Sequence, residues 1–138
     1  MSKPLLSHRD VDIYQRDAQL FREGQWLNDT CINFCFRCLE DNSSAVKLVD
    51  PAVVSFLRLQ VEEEDEYEGL AKGLQLDHVE WLYCPINDNA DFGSSSTHWS
   101  ALLLHVATGR SLYLDSHSQY NLPSAQSLLP KLAHLLKR

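Results

Sequence analysis

The stretch that decides the fold runs from Asp88 to Ser118 and reads Asp-Asn-Ala-Asp-Phe-Gly-Ser-Ser-Ser-Thr-His-Trp-Ser-Ala-Leu-Leu-Leu-His-Val-Ala-Thr-Gly-Arg-Ser-Leu-Tyr-Leu-Asp-Ser-His-Ser. A polar loop leads into an apolar segment, and a short turn at Gly109 separates that segment from a second one. This pattern predicts a β-hairpin with His98 where its first strand begins and Asp115 where its second strand ends. Reactive side chains at the open end of a rigid hairpin are typical of a functional site, because the strands hold them while the loops admit a substrate.

The turn length predicts a register for this hairpin. If Val106 pairs with Ser111 across a four-residue turn, Asp115 faces Leu102 on the neighbouring strand. His98 then lies on the same sheet face as Asp115, but about 13 Å away along the strand. A direct hydrogen bond between the two therefore requires a bulge, a different register or a sharp twist.

Composition narrows the class of protein. A chain of 138 residues with 44% hydrophobic and 22% charged residues suits one globular domain. The net charge of −7 argues against a nucleic-acid partner, which would require a basic surface. No apolar run approaches the roughly 20 residues of a membrane span, and no signal peptide opens the chain. We expect a soluble protein of the cytoplasm or nucleus with no membrane partner.

The rest of the chain mixes helical and strand patterns, which predicts an α+β fold. A helix capped by Asn28 or Asp29 runs to about Glu40, and its apolar stripe is so wide that deep burial is expected. The acidic run of residues 62–66 and the segment from Tyr67 to Leu74 are expected to form a further helical turn or two that stops at Gly73. Additional strands are predicted at Val11–Ile13, Val46–Val49 and Val79–Ile86, and additional helices open at Asp50-Pro51 and Pro123-Ser124.

The chain has four cysteines, and three of them fall within the helix that follows Asn28. Cys35 and Cys38 have the C-x-x-C spacing, but no second pair follows at the spacing of a zinc site. The favoured interpretation is that all four are buried structural thiols, without a disulfide in a reducing compartment. The four are Cys31, Cys35, Cys38 and Cys84.

His98 and Asp115 suggest a general base oriented by a carboxylate, an arrangement that activates a cysteine or serine nucleophile. A metal site built from His98, Asp115 and His117 is an alternative, although nothing in the spacing marks one. Ser100 and Ser94-Ser95-Ser96 could supply a hydroxyl nucleophile, but no nucleophile elbow surrounds them. Gly93 does not belong to a phosphate loop, because the Gly-Lys-Ser/Thr element is missing.

Four short motifs carry a family resemblance: Trp26-Leu27-Asn28-Asp29, Ile86-Asn87-Asp88-Asn89, Thr97-His98-Trp99-Ser100 and Asp115-Ser116-His117-Ser118. In their order and spacing the sequence resembles the sentrin/SUMO-specific, Ulp-type cysteine proteases. Within that family it is most similar to the deneddylase branch, which acts on the Nedd-type modifier. The motifs extend across nearly the whole chain.

The resemblance implies the α+β, papain-like fold of these cysteine proteases, with no cofactor and no metal. The implied substrate is the C-terminal Gly-Gly tail of a Nedd-type or SUMO-type modifier, in a precursor or in an isopeptide conjugate. His98 would be the general base and acid, and Asp115 its orienting partner. Trp26 and Trp99 would clamp the tail, since glycines can thread between two aromatic faces where bulkier residues cannot. The resemblance also places Asp29 and Asn87 near the bound tail.

The sequence departs from the family pattern after Asp115. In the family an oxyanion-hole Gln and the nucleophilic Cys follow that Asp, whereas here no cysteine follows Cys84. We therefore expect residues 1–138 to be the N-terminal part of a ubiquitin-like-protease domain, C-terminally incomplete and inactive alone. The alternative is a short form that binds the modifier tail without cleaving it.

Overall fold

The structure, a computed structural model, describes residues 3–41, 45–89 and 98–137. Within these ranges the strands are β1 (Leu6–His8), β2 (Val11–Ile13), β3 (Val46–Leu48), β4 (Trp81–Asn87), β5 (Trp99–His105) and β6 (Ser111–Leu114). The helices are α1 (Gln15–Ala18), α2 (Asp29–Leu39), α3 (Pro51–Leu59), α4 (Glu64–Leu74) and α5 (Leu122–Leu135), with a 3-10 turn at Gln19–Phe21. None of these described helices combines the length and hydrophobicity of a membrane span.

A four-stranded sheet in the order β3-β4-β5-β6 organises the fold and confirms the predicted α+β class. β3 runs parallel to β4, while the pairs β4–β5 and β5–β6 are antiparallel. Successive side chains of a strand point to opposite faces, and one face of the sheet packs against α3, α4 and α5. That layer is the hydrophobic core, where Leu82, Ile86, Leu102 and Leu128 are each at most 1% exposed.

Two helices begin at the predicted capping residues. The Asn28 side chain accepts a hydrogen bond from the backbone N–H of Cys31 at 2.9 Å, at the start of α2. Asp50 does the same for the N–H of Ala52 at 2.9 Å, at the start of α3. Each cap satisfies a first-turn donor that has no partner within its own helix.

The prediction that α2 is deeply buried is wrong. Only Cys31 is buried among its residues, and Leu39 is 73% exposed. One side of α2 packs on the β1–β2 hairpin and on α3, and Phe36 meets Tyr83 edge-on at 5.8 Å between ring centroids. The described residues therefore cover only part of the apolar stripe of α2.

The same geometry corrects the prediction for the cysteines. Cys31 and Cys84 are buried as expected, but Cys35 is partly exposed and Cys38 is exposed. Cys38 is one turn after Phe34, whose ring meets His8 of β1, but it lies near the C-terminal end of α2 and is exposed there. All four thiols are free, so the structure contains no disulfide between them.

Candidate active site

The hairpin register differs from the predicted one by two residues. Ser111 pairs with Leu104 rather than with Val106, and the pairing continues to Leu114 opposite Ala101. The turn closes one residue earlier on each strand than predicted: the N–H of His105 donates to the carbonyl of Arg110 at 2.8 Å, and the N–H of Gly109 donates to the carbonyl of His105 at 2.8 Å. A shift of two keeps every side chain on its predicted face, because faces alternate with a period of two.

This shift brings His98 and Asp115 into direct contact. His98 Nε2 lies 2.5 Å from Asp115 Oδ1, within hydrogen-bonding distance. The Asp115 side chain is fully shielded from solvent, while 13% of the His98 side chain is exposed. The predicted common face is confirmed, and the different register supplies the contact that the predicted register could not.

Three further donors converge on the Asp115 carboxylate. Oδ1 also accepts the N–H of His117 at 2.8 Å, and Oδ2 accepts the N–H of Asn121 at 3.1 Å together with the Tyr113 hydroxyl. Burial alone would raise the pKa of Asp115, but the hydrogen bonds from Tyr113, His117, His98 and Asn121 outweigh it and hold the pKa below its ordinary value. The carboxylate therefore stays ionised and can stabilise a protonated imidazole.

Both the backbone and the ring of His98 make further contacts. The backbone N–H donates to Asp88 Oδ1 at 3.3 Å, which joins the start of β5 to the end of β4. The rings of Tyr120 and His117 meet it edge-on at 5.2 Å and 5.8 Å. Since Nε2 is engaged by Asp115, Nδ1 is the nitrogen that can exchange a proton with a reacting group.

The metal alternative finds no support in this geometry. His117 reaches Asp115 through its backbone N–H, and its ring packs against His98 rather than pointing with it toward a common centre. Among the residues that the structure describes, no three His, Cys, Asp or Glu side chains are arranged to hold a metal ion.

Trp26 and Trp99, the two residues predicted to clamp the tail, lie on two chain segments that are joined by a hydrogen bond. The indole N–H of Trp99 donates to the carbonyl of Leu27 at 2.8 Å, so β5 holds the segment that precedes α2. Trp26, the residue before Leu27, is 59% exposed. The side-chain amide of Asn28 also holds this segment, because it donates a hydrogen bond to the buried carboxylate of Asp17 at 3.1 Å. The segment is thus fixed while the Trp26 ring remains accessible.

An apolar cleft of about 340 Å³ opens between α2 and the sheet beside this pair of segments. Ile32 and Phe36 form one wall, Trp99 lies in the lining, and the cleft reaches Asp115. The cleft lies mainly on the α2 side of the sheet, and it contacts the His98–Asp115 pair only at Asp115.

The two other predicted tail-binding residues differ in position. Asp29 is the first residue of α2, three residues after Trp26, and burial together with the charge of Asp50 raises its pKa. Asn87 is only 2% exposed, and its side chain donates to Ser55 at 3.3 Å and accepts from Arg58 at 3.2 Å. It turns toward α3, so any effect of Asn87 on a bound tail passes through the loop that it supports.

None of the four cysteines hydrogen-bonds to His98. Cys31 donates to the Asp17 carbonyl at 3.3 Å, and burial raises the pKa of Cys84 to about 12. Ser100 is also engaged elsewhere, since its buried hydroxyl donates to the Ile86 carbonyl at 3.4 Å. Ser94-Ser95-Ser96 and Gly93 lie outside the described residues.

Sequence reasoning missed two residues of the site, Tyr113 and Asn121. Tyr113 carried a usable signal, since it lies two residues before Asp115 on the same strand and must share its face. Asn121 carried a weaker one: it precedes Leu122-Pro123, where a helix start is expected. Its contacts with the distant strands had no local signature.

Residues 25–137 match the Ulp1 protease family, C-terminal catalytic domain. The chain belongs to this family. The match covers all four motifs and both members of the His98–Asp115 pair, so the Ulp-type resemblance of the sequence is confirmed.

Curated relatives within the family have similar sequences. The chain is 32% identical over 99% of its length to the probable sentrin-specific protease 8 of Dictyostelium discoideum, and 29% identical over its whole length to sentrin-specific protease 8 of Homo sapiens. It is 30% identical over 96% of its length to NEDD8-specific protease 2 of Schizosaccharomyces pombe. The chain spans 60%, 67% and 34% of the lengths of these three relatives.

Solved structures confirm the fold. The SUMO protease Ulp1 with its catalytic cysteine oxidised to a sulfenic acid superposes with a TM-score of 0.72 at 21% identity, over 98% of this chain and 61% of that one. The Ulp1 protease domain in complex with Smt3, the yeast ortholog of SUMO, gives a TM-score of 0.70 at 18% identity, over 99% of this chain and 61% of that one. The predicted Ulp-type protease fold is therefore the fold of this chain.

Proposed function

We propose that residues 1–138 form the N-terminal part of a ubiquitin-like-protease domain that acts on a Nedd-type modifier. The reaction is cleavage after the C-terminal Gly-Gly of the modifier, in a precursor or in an isopeptide conjugate, as a cysteine-type peptidase. Family membership and relatives named sentrin-specific protease 8 and NEDD8-specific protease 2 support this assignment. A cytoplasmic or nuclear location belongs to the same proposal.

The observation that carries the proposal is the hydrogen bond between His98 Nε2 and Asp115 Oδ1 at 2.5 Å. In the proposed reaction His98 Nδ1 takes the proton of a thiol as the sulfur attacks the carbonyl carbon of the second glycine. Asp115 stabilises the imidazolium that forms, and His98 returns the proton to the departing amine as the C–N bond breaks. Water then hydrolyses the thioester, which releases the modifier and restores the thiol. Because none of the chain's four cysteines bonds to His98, we assign the attacking thiol to none of them.

The tail would enter along the segment that Trp99 and Leu27 hold together. Trp26 offers an exposed aromatic face at that point, and Trp99 lines the adjoining cleft. Two glycines can pass between such faces, whereas a side chain larger than hydrogen would collide with them. Asp29, at the start of α2, is proposed to lie beside the bound tail.

The test uses the protein as cells make it. The gene is tagged at its N-terminal end in its own locus, and the purified product is incubated with C-terminal fluorogenic reporters of Nedd-type, SUMO-type and ubiquitin-type modifiers. We expect cleavage of the Nedd-type reporter, sensitivity to thiol alkylation, and loss of cleavage with His98→Ala. His105→Ala, at the far end of β5, is the matched control and is expected to retain cleavage.

Two outcomes would refute this function: Nedd-type cleavage that His98→Ala leaves unchanged, or no cleavage of any of the three reporters. In the second case a tail-binding role without cleavage becomes the function to examine. Titration of the modifier against the same protein would measure it directly.

A further inference from the structure

Asn121 occupies the residue before α5 but does not cap that helix. An Asn at this position ordinarily accepts a hydrogen bond from a first-turn N–H. Here no side-chain cap bond is present, and the next residue but one is Pro123, which has no N–H to offer. The Asn121 side chain is 1% exposed, and its Oδ1 accepts no hydrogen bond from the described residues. The amide is oriented by something other than its own helix.

The amide nitrogen of Asn121 points toward the sheet. Nδ2 lies 3.1 Å from the carbonyl of Ile86, 3.3 Å from the carbonyl of His98 and 3.2 Å from Ser100 Oγ. Its two hydrogens are thus shared among three acceptors at the end of β4 and the start of β5. These contacts fix the backbone of His98 against the neighbouring strand.

The backbone N–H of the same residue reaches the other half of the pair. It lies 3.1 Å from Asp115 Oδ2 and 3.0 Å from the Tyr113 hydroxyl, which itself donates to Oδ2. One residue therefore contacts both the chain segment that carries the imidazole and the carboxylate that orients it. The bonds to His98 and to Asp115 use different atoms, so the distance between those two groups is set through Asn121.

We propose that Asn121 is a positioning residue: its side-chain amide fixes the backbone of His98 while its N–H fixes the Asp115 carboxylate, which sets the His98–Asp115 hydrogen bond. This arrangement explains why Asn121 does not cap α5, since its amide donates to the sheet instead. A buried Oδ1 without a described partner costs free energy, and the ordering of the site offsets that free energy. The catalytic consequence rests on the proposed function, but the geometric claim does not.

The test reads the His98–Asp115 bond itself in the full chain labelled with ¹⁵N-histidine. In the unaltered protein we expect a downfield, slowly exchanging proton on His98 Nε2. Asn121→Asp has nearly the same shape but cannot donate to the carbonyls, and Asn121→Ala removes the amide altogether. Both are expected to lose this resonance. Leu129→Ala, a partly buried α5 position packed on the core, is the control for general destabilisation and is expected to keep it.

Persistence of the resonance in folded Asn121→Asp and Asn121→Ala would overturn the inference. If both variants fail to fold, hydrogen exchange of the Asn121 side-chain amide in the unaltered protein decides the matter. Protection well above that of the exposed Gln126 amide is expected, and equal exchange of the two would contradict the inference.

A separate arm measures cleavage by the tagged cellular protein, where kcat is expected to fall with KM nearly unchanged. Loss of the resonance in a protein that cleaves nothing would keep the positioning role and refute only the proposed function. Normal kcat in the Asn121 variants of a cleaving protein would refute the positioning role alone.

Discussion

The hydroxyl of Tyr113 donates to Asp115 Oδ2, leaving Oδ1 for His98 and for the N–H of His117. The two residues lie two apart on one strand face, and Tyr113 thereby helps to hold the carboxylate that contacts His98. Burial raises the pKa of Tyr113, and the bond to Asp115 adds to that effect, so the hydroxyl remains a donor throughout the neutral range.

Replacing Tyr113 with Phe tests this contact. The variant keeps the ring but removes one donor to the carboxylate, so the pKa of Asp115 should move up toward its ordinary value. The free energy of unfolding should fall by about 1.5–3 kcal/mol, the range for hydrogen bonds to charged groups. Carboxyl ¹³C NMR titration and urea unfolding at neutral pH measure the two effects. A control is Tyr83→Phe on β4, whose ring packs on Phe36 and should leave the Asp115 titration unmoved.

Acid should destabilise the fold through Asp115. Its folded-state pKa is lowered, so its contribution is present above the unfolded value of about 3.9 and is lost as the pH falls through the folded value. Asp29 and Asp50 have raised pKa values and act in the opposite direction, since their stabilising contribution is present below the unfolded value and is lost as the pH rises.

The Asp115→Asn variant separates the contribution of Asp115 to the pH dependence of stability from those of Asp29 and Asp50. The variant should be less stable at neutral pH, and its stability should depend less on acid than that of the unaltered chain. Urea unfolding between neutral pH and the lowest pH at which the chain stays folded measures the difference. Parallel curves for the two proteins would contradict the depressed pKa of Asp115.

The bond from Trp99 to Leu27 should stabilise the segment that precedes α2. Trp99→Phe keeps an aromatic ring in the cleft but removes the indole N–H, so the free energy of unfolding should fall by about 1 kcal/mol. Binding of a modifier tail should weaken as well, because the Trp26 segment loses its tie to β5. Trp81→Phe is the matched control, since Trp81 packs on His105 at the other end of the sheet. An equal loss of tail binding in the two variants would argue against the proposed clamp.

The four thiols should react with an alkylating reagent at very different rates. Cys38 is exposed and should be labelled first, followed by Cys35. Cys31 and Cys84 should be protected until the chain unfolds, because both are buried and burial raises the pKa of each. Timed labelling with peptide mass spectrometry gives the order. Early labelling of Cys84 would contradict its place in the core.

Local patterns were enough to predict several features of this fold. Asn28 and Asp50 cap their helices because a short polar side chain reaches a first-turn N–H without help from the rest of the chain. The shared face of His98 and Asp115 followed from strand alternation, which holds for any register shifted by an even number of residues. The family motifs indicated the fold for the same reason: they are features of sequence order.

The burial of α2 could not be read from its apolar stripe. Periodicity shows which side chains share a helix face, but burial depends on what the fold places against that face. Here the β1–β2 hairpin and α3 cover one side, and Leu39 remains exposed. For the same reason the prediction that Cys38 is buried was wrong.

Sequence by itself determined the caps of α2 and α3 and the common face of His98 and Asp115, since these depend on neighbours within a few residues. Tertiary structure decided that His98 and Asp115 touch, because strand alternation leaves the register open and the observed turn closes where the His105 N–H donates to the Arg110 carbonyl. It also decided the contacts of Asn121, whose amide meets the Ile86 carbonyl across a sequence separation of 35 residues. Contacts of that range arise only when the strands and α5 pack together, so no local pattern encodes them.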